Sequence, residues 1–218
     1  MKQLPGSRLS LDDRYNDACN DAADIATVLT LEGDMVMAFT RMDQLHADSE
    51  DVAIIGRALV QRQAAMPEMI KSLLRKLEEQ VDGFPVDQLE HSLQTATRAE
   101  RAGASEEMVV AALCHDIGKA VSDANHGAIS AEILKPYVAH ETYEIVRTHQ
   151  DFQGRYIYAL MGKDPEARRR YADRPWYKLA CQFSDAWDQT AFDPGYHSQP
   201  LEHFEPMIDR IFALARAT

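Results

Sequence analysis

The tightest constraint on this chain is the segment Ala111-Ala112-Leu113-Cys114-His115-Asp116-Ile117-Gly118-Lys119, an apolar run that carries a histidine and an aspartate side by side. A run of this composition belongs in a core. A carboxylate buried there costs several kcal/mol unless it is paired or metal-bound. Imidazole and carboxylate together are ligands for Zn, Fe, Mn or Mg. The fold must therefore bring a metal or a strong polar partner to the pair, or else end a helix in solvent there with the histidine as a cap.

The rest of the chain narrows the choice. Its 218 residues, 45% hydrophobic, suit one domain with a small appendage. A net charge of −12 argues against non-specific nucleic-acid binding and against an anionic membrane surface. No apolar run approaches the roughly 20 residues of a membrane span, and the first residues lack a basic region followed by an apolar stretch, so no signal peptide is expected. Cys19, Cys114 and Cys181 are scattered and form no C-x-x-C pair, so the expected compartment is the reducing cytoplasm. Cys114 and Cys181 read as small core residues.

Residues 1–48 read as an arm with short helices, in which the Met-rich stretch from Met35 to Phe39 fills gaps. Helical periodicity takes over at Ser49, a cap before Val52. Pro67 suits the first turn of a second helix, and Asp82-Gly83-Phe84-Pro85 breaks it. Helices are then expected over about 87–102, from 105 to near Gly118, and at about 127–135, 141–150, 153–161, 176–191 and 201–215, punctuated by prolines. No strand alternation, internal repeat or low-complexity segment is present. The expected fold class is all-α, a bundle of antiparallel helices joined by short turns.

Two hairpins follow from arithmetic. His91 and His115 each lie about twelve residues from the turn at Gly103, so an antiparallel pair of helices sets them level, roughly 18 Å from the turn. His126 and His149 are nearly equidistant from the turn around Pro136–His140. A further ligand is expected from the 176–191 helix. Asp185 and Asp188, three apart, are both candidates, and Asp188 beside Trp187 is preferred, with Asp185 in a supporting role. His91, His115, Asp116, His126, His149 and Asp188 exceed one tetrahedral zinc shell. Asp116 could bridge two ions, and an all-N/O donor set fits Fe, Mn, Co or Zn. Two such ions support hydrolysis at phosphorus or, if they are iron, chemistry with dioxygen.

The order His91, His115-Asp116, His126, His149, Asp188 resembles the H…HD…H…H…D pattern of the HD-domain superfamily, over about Gly83 to Met207. The resemblance implies a helical HD bundle over residues 49–218 with a buried dinuclear metal site. Gln88-Leu89-Glu90-His91-Ser92-Leu93-Gln94-Thr95-Ala96 and Trp187-Asp188 are similar to motifs of the mixed-valent diiron oxygenases, the branch of myo-inositol oxygenase and the 1-hydroxyphosphonate oxygenases. That branch implies an Fe(II)/Fe(III) pair, dioxygen as co-substrate, and a hydroxylated substrate. Lys119 matches a substrate-contacting lysine of the inositol enzymes; HD phosphohydrolases often carry Lys there to meet a phosphate. The chain departs from the phosphonate enzymes at Val81 and Phe84, where they carry Tyr and Glu, and at Gln153, where they carry Lys.

The expected activity is thus a metal-dependent oxygenase acting with dioxygen on a small hydroxylated, anionic organic molecule. The alternative is a divalent-metal phosphohydrolase using Mn, Co, Zn or Mg. Asp116 and Lys119 are the expected catalytic pair. Lys119, Gln153 and Arg155 are expected to bind substrate, and Gln94 and Asp185 to support the ligands. No nucleic acid or membrane is expected as a partner, and a homodimer is admitted. Phe192-Asp193-Pro194-Gly195-Tyr196 reads as a turn closing over the site. Gly154 reads as a point of close ligand approach. Arg168-Arg169-Arg170 reads as a solvated helix face, and His46, His140, His197 and His203 as structural.

Overall fold

A computed structural model describes residues 39–213 and 215; Cys19 and most of the expected arm lie outside the described residues. The chain divides into two compact units between Ala65 and Met66. In the first, helix α1 (Glu50–Ala64) starts where Ser49 accepts a hydrogen bond from the Val52 amide at 3.3 Å.

The second unit is all-α, and no strand occurs among the described residues. Its helices are α2 (Met66–Lys76), α3 (Gln88–Arg101), α4 (Glu106–Cys114), α5 (His126–Leu134), α6 (His140–Ile157), α7 (Tyr177–Gln182) and α8 (Leu201–Phe212). None of them is long and apolar enough to cross a membrane. Asp87 caps α3 by accepting from the Glu90 amide at 2.7 Å, and Ser105 caps α4 by accepting from Met108. Gly103, at φ +74°, reverses the chain between them. Its amide bonds to the Glu100 carbonyl and that of Ala104 to the Ala99 carbonyl, the paired bonds that close a helix on a left-handed residue. A second hairpin pairs α5 with α6.

Helix α4 is apolar all round and sits at the centre, with Val110, Ala111, Ala112, Leu113 and Cys114 fully buried. Around it pack Ile70 and Leu74 of α2, Ala96 and Ala99 of α3, Ile145 and Val146 of α6, and Phe204, Ile208 and Phe212 of α8. Lys71 is buried against α8, its ammonium 2.7 Å from Asp209 and 2.8 Å from Glu68.

Three elements depart from their expected outlines. The α4 segment stops at Cys114 and resumes as a 3-10 turn, Ile117–Ala120, with Asp116 between them at φ −108°, ψ 5°. Gly118 is the reason the chain can close there. A Cβ on it would lie 2.3 Å from the His126 carbonyl oxygen, so only glycine admits the start of α5. The helices expected at 141–150 and 153–161 are one, because Gly154 continues α6. The space a Cβ would take at Gly154 is filled by the Tyr158 ring, not by a ligand. The 176–191 helix turns from α into a π-helical stretch at Phe183–Asp188.

Two predictions follow from this packing. Gly118→Ala must push α5 away from α4, and is expected to cost about 1–3 kcal/mol in denaturant unfolding; an unchanged midpoint would show that the contact relaxes freely. The carboxylates of Asp209 and Glu68 raise the Lys71 pKa above its ordinary 10.5. The stabilisation is therefore complete below pH 10.5 and lost as pH rises beyond it. Lys71→Met should flatten that alkaline loss of stability, read as the thermal midpoint against pH.

Candidate metal centre

Regular helices and the breaks between them deliver six side chains to one point. His91 comes from the second turn of α3, and His115 and Asp116 from the break after α4. His126 opens α5, His149 projects from α6, and Asp188 ends the π-helical stretch. All six are buried; Asp116 is 2% exposed and Asp188 0%. The arithmetic of the two hairpins holds in space: the Nε2 atoms of His91 and His115 lie 3.2 Å apart, and those of His126 and His149 lie 3.3 Å apart.

Asp116 lies between the pairs. Its Oδ2 is 3.6 Å from Nε2 of both His91 and His115, while its Oδ1 is 3.1 Å from His126 and 3.3 Å from His149. Asp188 Oδ1 joins the first pair, 3.3 Å from His91 and 3.6 Å from His115. The centre thus has a four-residue side, His91, His115, Asp188 and Asp116, and a three-residue side, His126, His149 and Asp116. The sets His91–His115–Asp188 and His115–Asp116–His149 each gather their donor atoms within 4.8 Å of one another.

The hydrogen bonds of the rings settle what these atoms are. Each histidine uses Nδ1 on a backbone carbonyl: His91 on Ala191 at 3.0 Å, His115 on Ala112 at 2.8 Å, His126 on Asp123 at 2.8 Å and His149 on Val146 at 2.7 Å. A carbonyl only accepts, so Nδ1 carries the proton and a neutral ring presents a bare lone pair at Nε2. Four lone pairs then face one another and two carboxylates. Asp116 Oδ1 and Asp188 Oδ2 are buried with no hydrogen-bond donor. Each such orphan costs about 1–3 kcal/mol. Burial pushes both carboxyls up; for Asp116, positive charge on His115, His126 and His149, with Lys119, outweighs it and holds the group well below the usual carboxylate range. For Asp188, His115 and His91 have the same effect. Such a cluster is at rest only with positive charge inside it, on the rings themselves or, with the rings neutral, on a divalent cation between them.

The surroundings are polar on one side and aromatic on the other. Lys119 lies 2.7 Å from Asp116 Oδ2 and donates to Gln88 Oε1 at 2.8 Å. Gln153 donates to Asp188 Oδ1 at 2.9 Å. Phe192 stacks on the His91 ring at 4.3 Å between centroids, and Phe84 stacks on Phe192 at 4.9 Å. Gln94 supports this cover rather than a ligand, exchanging hydrogen bonds with the backbone of Asp193 at 2.8 and 3.2 Å. The following loop is strapped along α3 by Arg98 and Arg101 over the Tyr196 ring.

Other expected residues lie elsewhere. Asp185 turns away from the cluster to Arg168, at 2.8 Å, and accepts from Tyr156. Arg155 is exposed on α6 and takes no part in the contacts of the centre. Of the expected solvated run, Arg169 and Arg170 are exposed, paired with Glu166 and Asp151, while Arg168 is buried on Asp185. His203 pairs with Glu100. Sequence reasoning did not find Gln88 as the partner of Lys119, for which there was no signal. It also passed over Gly118, whose place inside the His-Asp segment was one.

A helical domain that closes four imidazoles around one aspartate is a metal-binding bundle in class. Residues 89–191 match the model of the HD domain family. It is also similar to a 1-hydroxy-2-(trimethylamino)ethylphosphonate dioxygenase (glycine-betaine-forming) from Leisingera caerulea, 34% identical over 119 residues, which are 50% of this chain and 59% of that protein.

The placement of the two aspartates predicts different responses. Asp188→Ala should strip metal from the purified protein, while Asp185→Ala should leave metal content near that of the unaltered protein. Asp185→Ala should instead lower stability by leaving Arg168 buried and unpaired. The opposite ranking in metal analysis would move the ligand by one turn.

Proposed function

We propose that this chain is a diiron oxygenase that uses dioxygen to oxidise or cleave a small hydroxylated organic substrate. The observation that carries this reading is the shared carboxylate: Asp116 offers one oxygen to each of two histidine pairs, an arrangement suited to two ions rather than one. The dioxygenase named above supports it. When bound, an iron pair would supply the redox chemistry that dioxygen requires and a positive centre for the substrate's oxygen.

The chain's own residues do the rest. The four Nδ1–carbonyl hydrogen bonds hold the rings at fixed tautomer and angle, so the donor atoms need no reorganisation. On the four-residue side, His91, His115, Asp188 and Asp116 would hold one ion; His126, His149 and Asp116 would hold the other with fewer protein donors, leaving room for an exchangeable ligand. Phe192 excludes water from the His91 face. Lys119 has three N–H donors and spends them on Asp116 and Gln88, with one left for a hydroxyl or anionic oxygen of the substrate.

A second reading is a divalent-metal phosphohydrolase, and Lys119 favours it to the same degree, because an ammonium beside a bridging carboxylate also suits a phosphate oxygen. Oxygen uptake separates the two. Iron-loaded protein is expected to consume dioxygen with a member of a panel of polyols and hydroxyphosphonates, and zinc-loaded protein to leave the same compound unchanged. Anaerobic phosphoester hydrolysis by the manganese- or cobalt-loaded protein, with no oxygen uptake across the panel, would reverse the choice.

A further inference from the structure

Asp188 is the most precariously held of the candidate ligands. It ends a π-helical stretch, Phe183–Asp188, whose register is easily lost to an ordinary helix. Its Oδ2 is buried without a donor. Apart from the histidine rings it faces, its carboxylate has one hydrogen-bond donor among the described residues, the Gln153 amide, at 2.9 Å on Oδ1. That oxygen is the one 3.3 Å from His91 Nε2 and 3.6 Å from His115 Nε2.

Several details make this contact more than packing. An ionised carboxylate only accepts, which fixes Nε2 as the atom of Gln153 that faces it. An oxygen has two acceptor directions, so the amide can hold Oδ1 through one and leave the other for an ion. Gln153 stands four residues after His149 on α6, hence on the same helix face. The terminal ligand of one side of the centre is thereby tied to the helix that presents a ligand of the other. The acids and bases nearby are otherwise engaged: Arg168 and Tyr156 are spent on Asp185, and Lys119 on Asp116 and Gln88.

We propose that Gln153 is a positioning residue of the metal centre: its amide orients the Asp188 carboxylate and so sets the metal affinity of the His91–His115–Asp188 side. The proposal rests on the metal-site reading, and is independent of whether the reaction is oxygenation or hydrolysis.

The test is cobalt(II) affinity of the metal-stripped full chain, measured by competition with a chromophoric chelator, together with the melting temperature of the stripped chain. Gln153→Leu keeps the size and removes the donor. It should weaken the tighter site about 10- to 100-fold and leave the melting temperature of the stripped chain unchanged. Gln153→Lys restores a donor at the same position and should recover affinity to within a few-fold. Wild-type cobalt affinity in Gln153→Leu would overturn the proposal. So would a loss of affinity matched by a loss of melting temperature and left unrescued by Gln153→Lys, since that pattern belongs to a structural contact. Failure of the unaltered chain to bind cobalt at all would instead strike the metal-site reading itself.

Discussion

The structure depends on one buried carboxylate. Asp116 lies between two imidazole pairs, with each oxygen turned to a different pair, and it is almost wholly removed from water. Nothing about helix packing asks for a charge there. Its environment has been arranged so that the negative charge meets Lys119 on one oxygen, and on the other only ring nitrogens whose protons are spent on backbone carbonyls. A core of this kind leaves a demand for positive charge at its centre, since Asp116 Oδ1 and Asp188 Oδ2 have no hydrogen-bond donor.

The two breaks in helical regularity serve that carboxylate. An uninterrupted helix from Ser105 through Gly118 would set His115 and Asp116 about 100° apart around its axis, with both side chains leaning back towards its N-terminus. Ending α4 at Cys114 frees Asp116 to take the φ and ψ of the bridge region and reach between the hairpins. Gly118 then lets the α5 start close over it, which places His126. The π-helical stretch at Phe183–Asp188 does the equivalent for the last ligand, since Asp185 and Asp188 diverge, one to Arg168 and one to the centre. Regular helices build the core and carry His91 and His149; His115, Asp116 and Asp188 stand where regularity is given up.

This division explains what could be read from the sequence. Helix starts at Ser49, Asp87 and Ser105, the turn at Gly103 and the level pairing of His91 with His115 depend on local rules of capping and spacing, and all were legible. So was the burial of Asp188, from the company of Trp187. The breaks and continuities were not legible, because they depend on side-chain fit and not on composition: the backbone at Gly118 lies too close to His126 for any Cβ, and at Gly154 the Tyr158 ring fills the space a Cβ would take. Arg168 and Arg170 are a further case, since their partners Asp185 and Asp151 are brought to them only by the fold.

The asymmetry of the centre carries the argument one step further. The His91 face of the four-residue side is covered by Phe192, with Phe84 stacked on it and Gln94 holding the backbone of Asp193, so that half is the more closed. The three-residue side has fewer protein donors, and His126, at 7% exposed, is the most accessible of the six. On the proposed reading, an incoming oxygen ligand is then favoured at the His126–His149 side, where coordination is incomplete and solvent is nearest. Lys119 reaches Asp116 through Oδ2, the oxygen that faces the closed side, and so its spare donor lies along the shared carboxylate between the two halves. A substrate held there would be positioned by the closed half and would react at the open one. That separation of roles follows from the unequal ligand count on either side of Asp116.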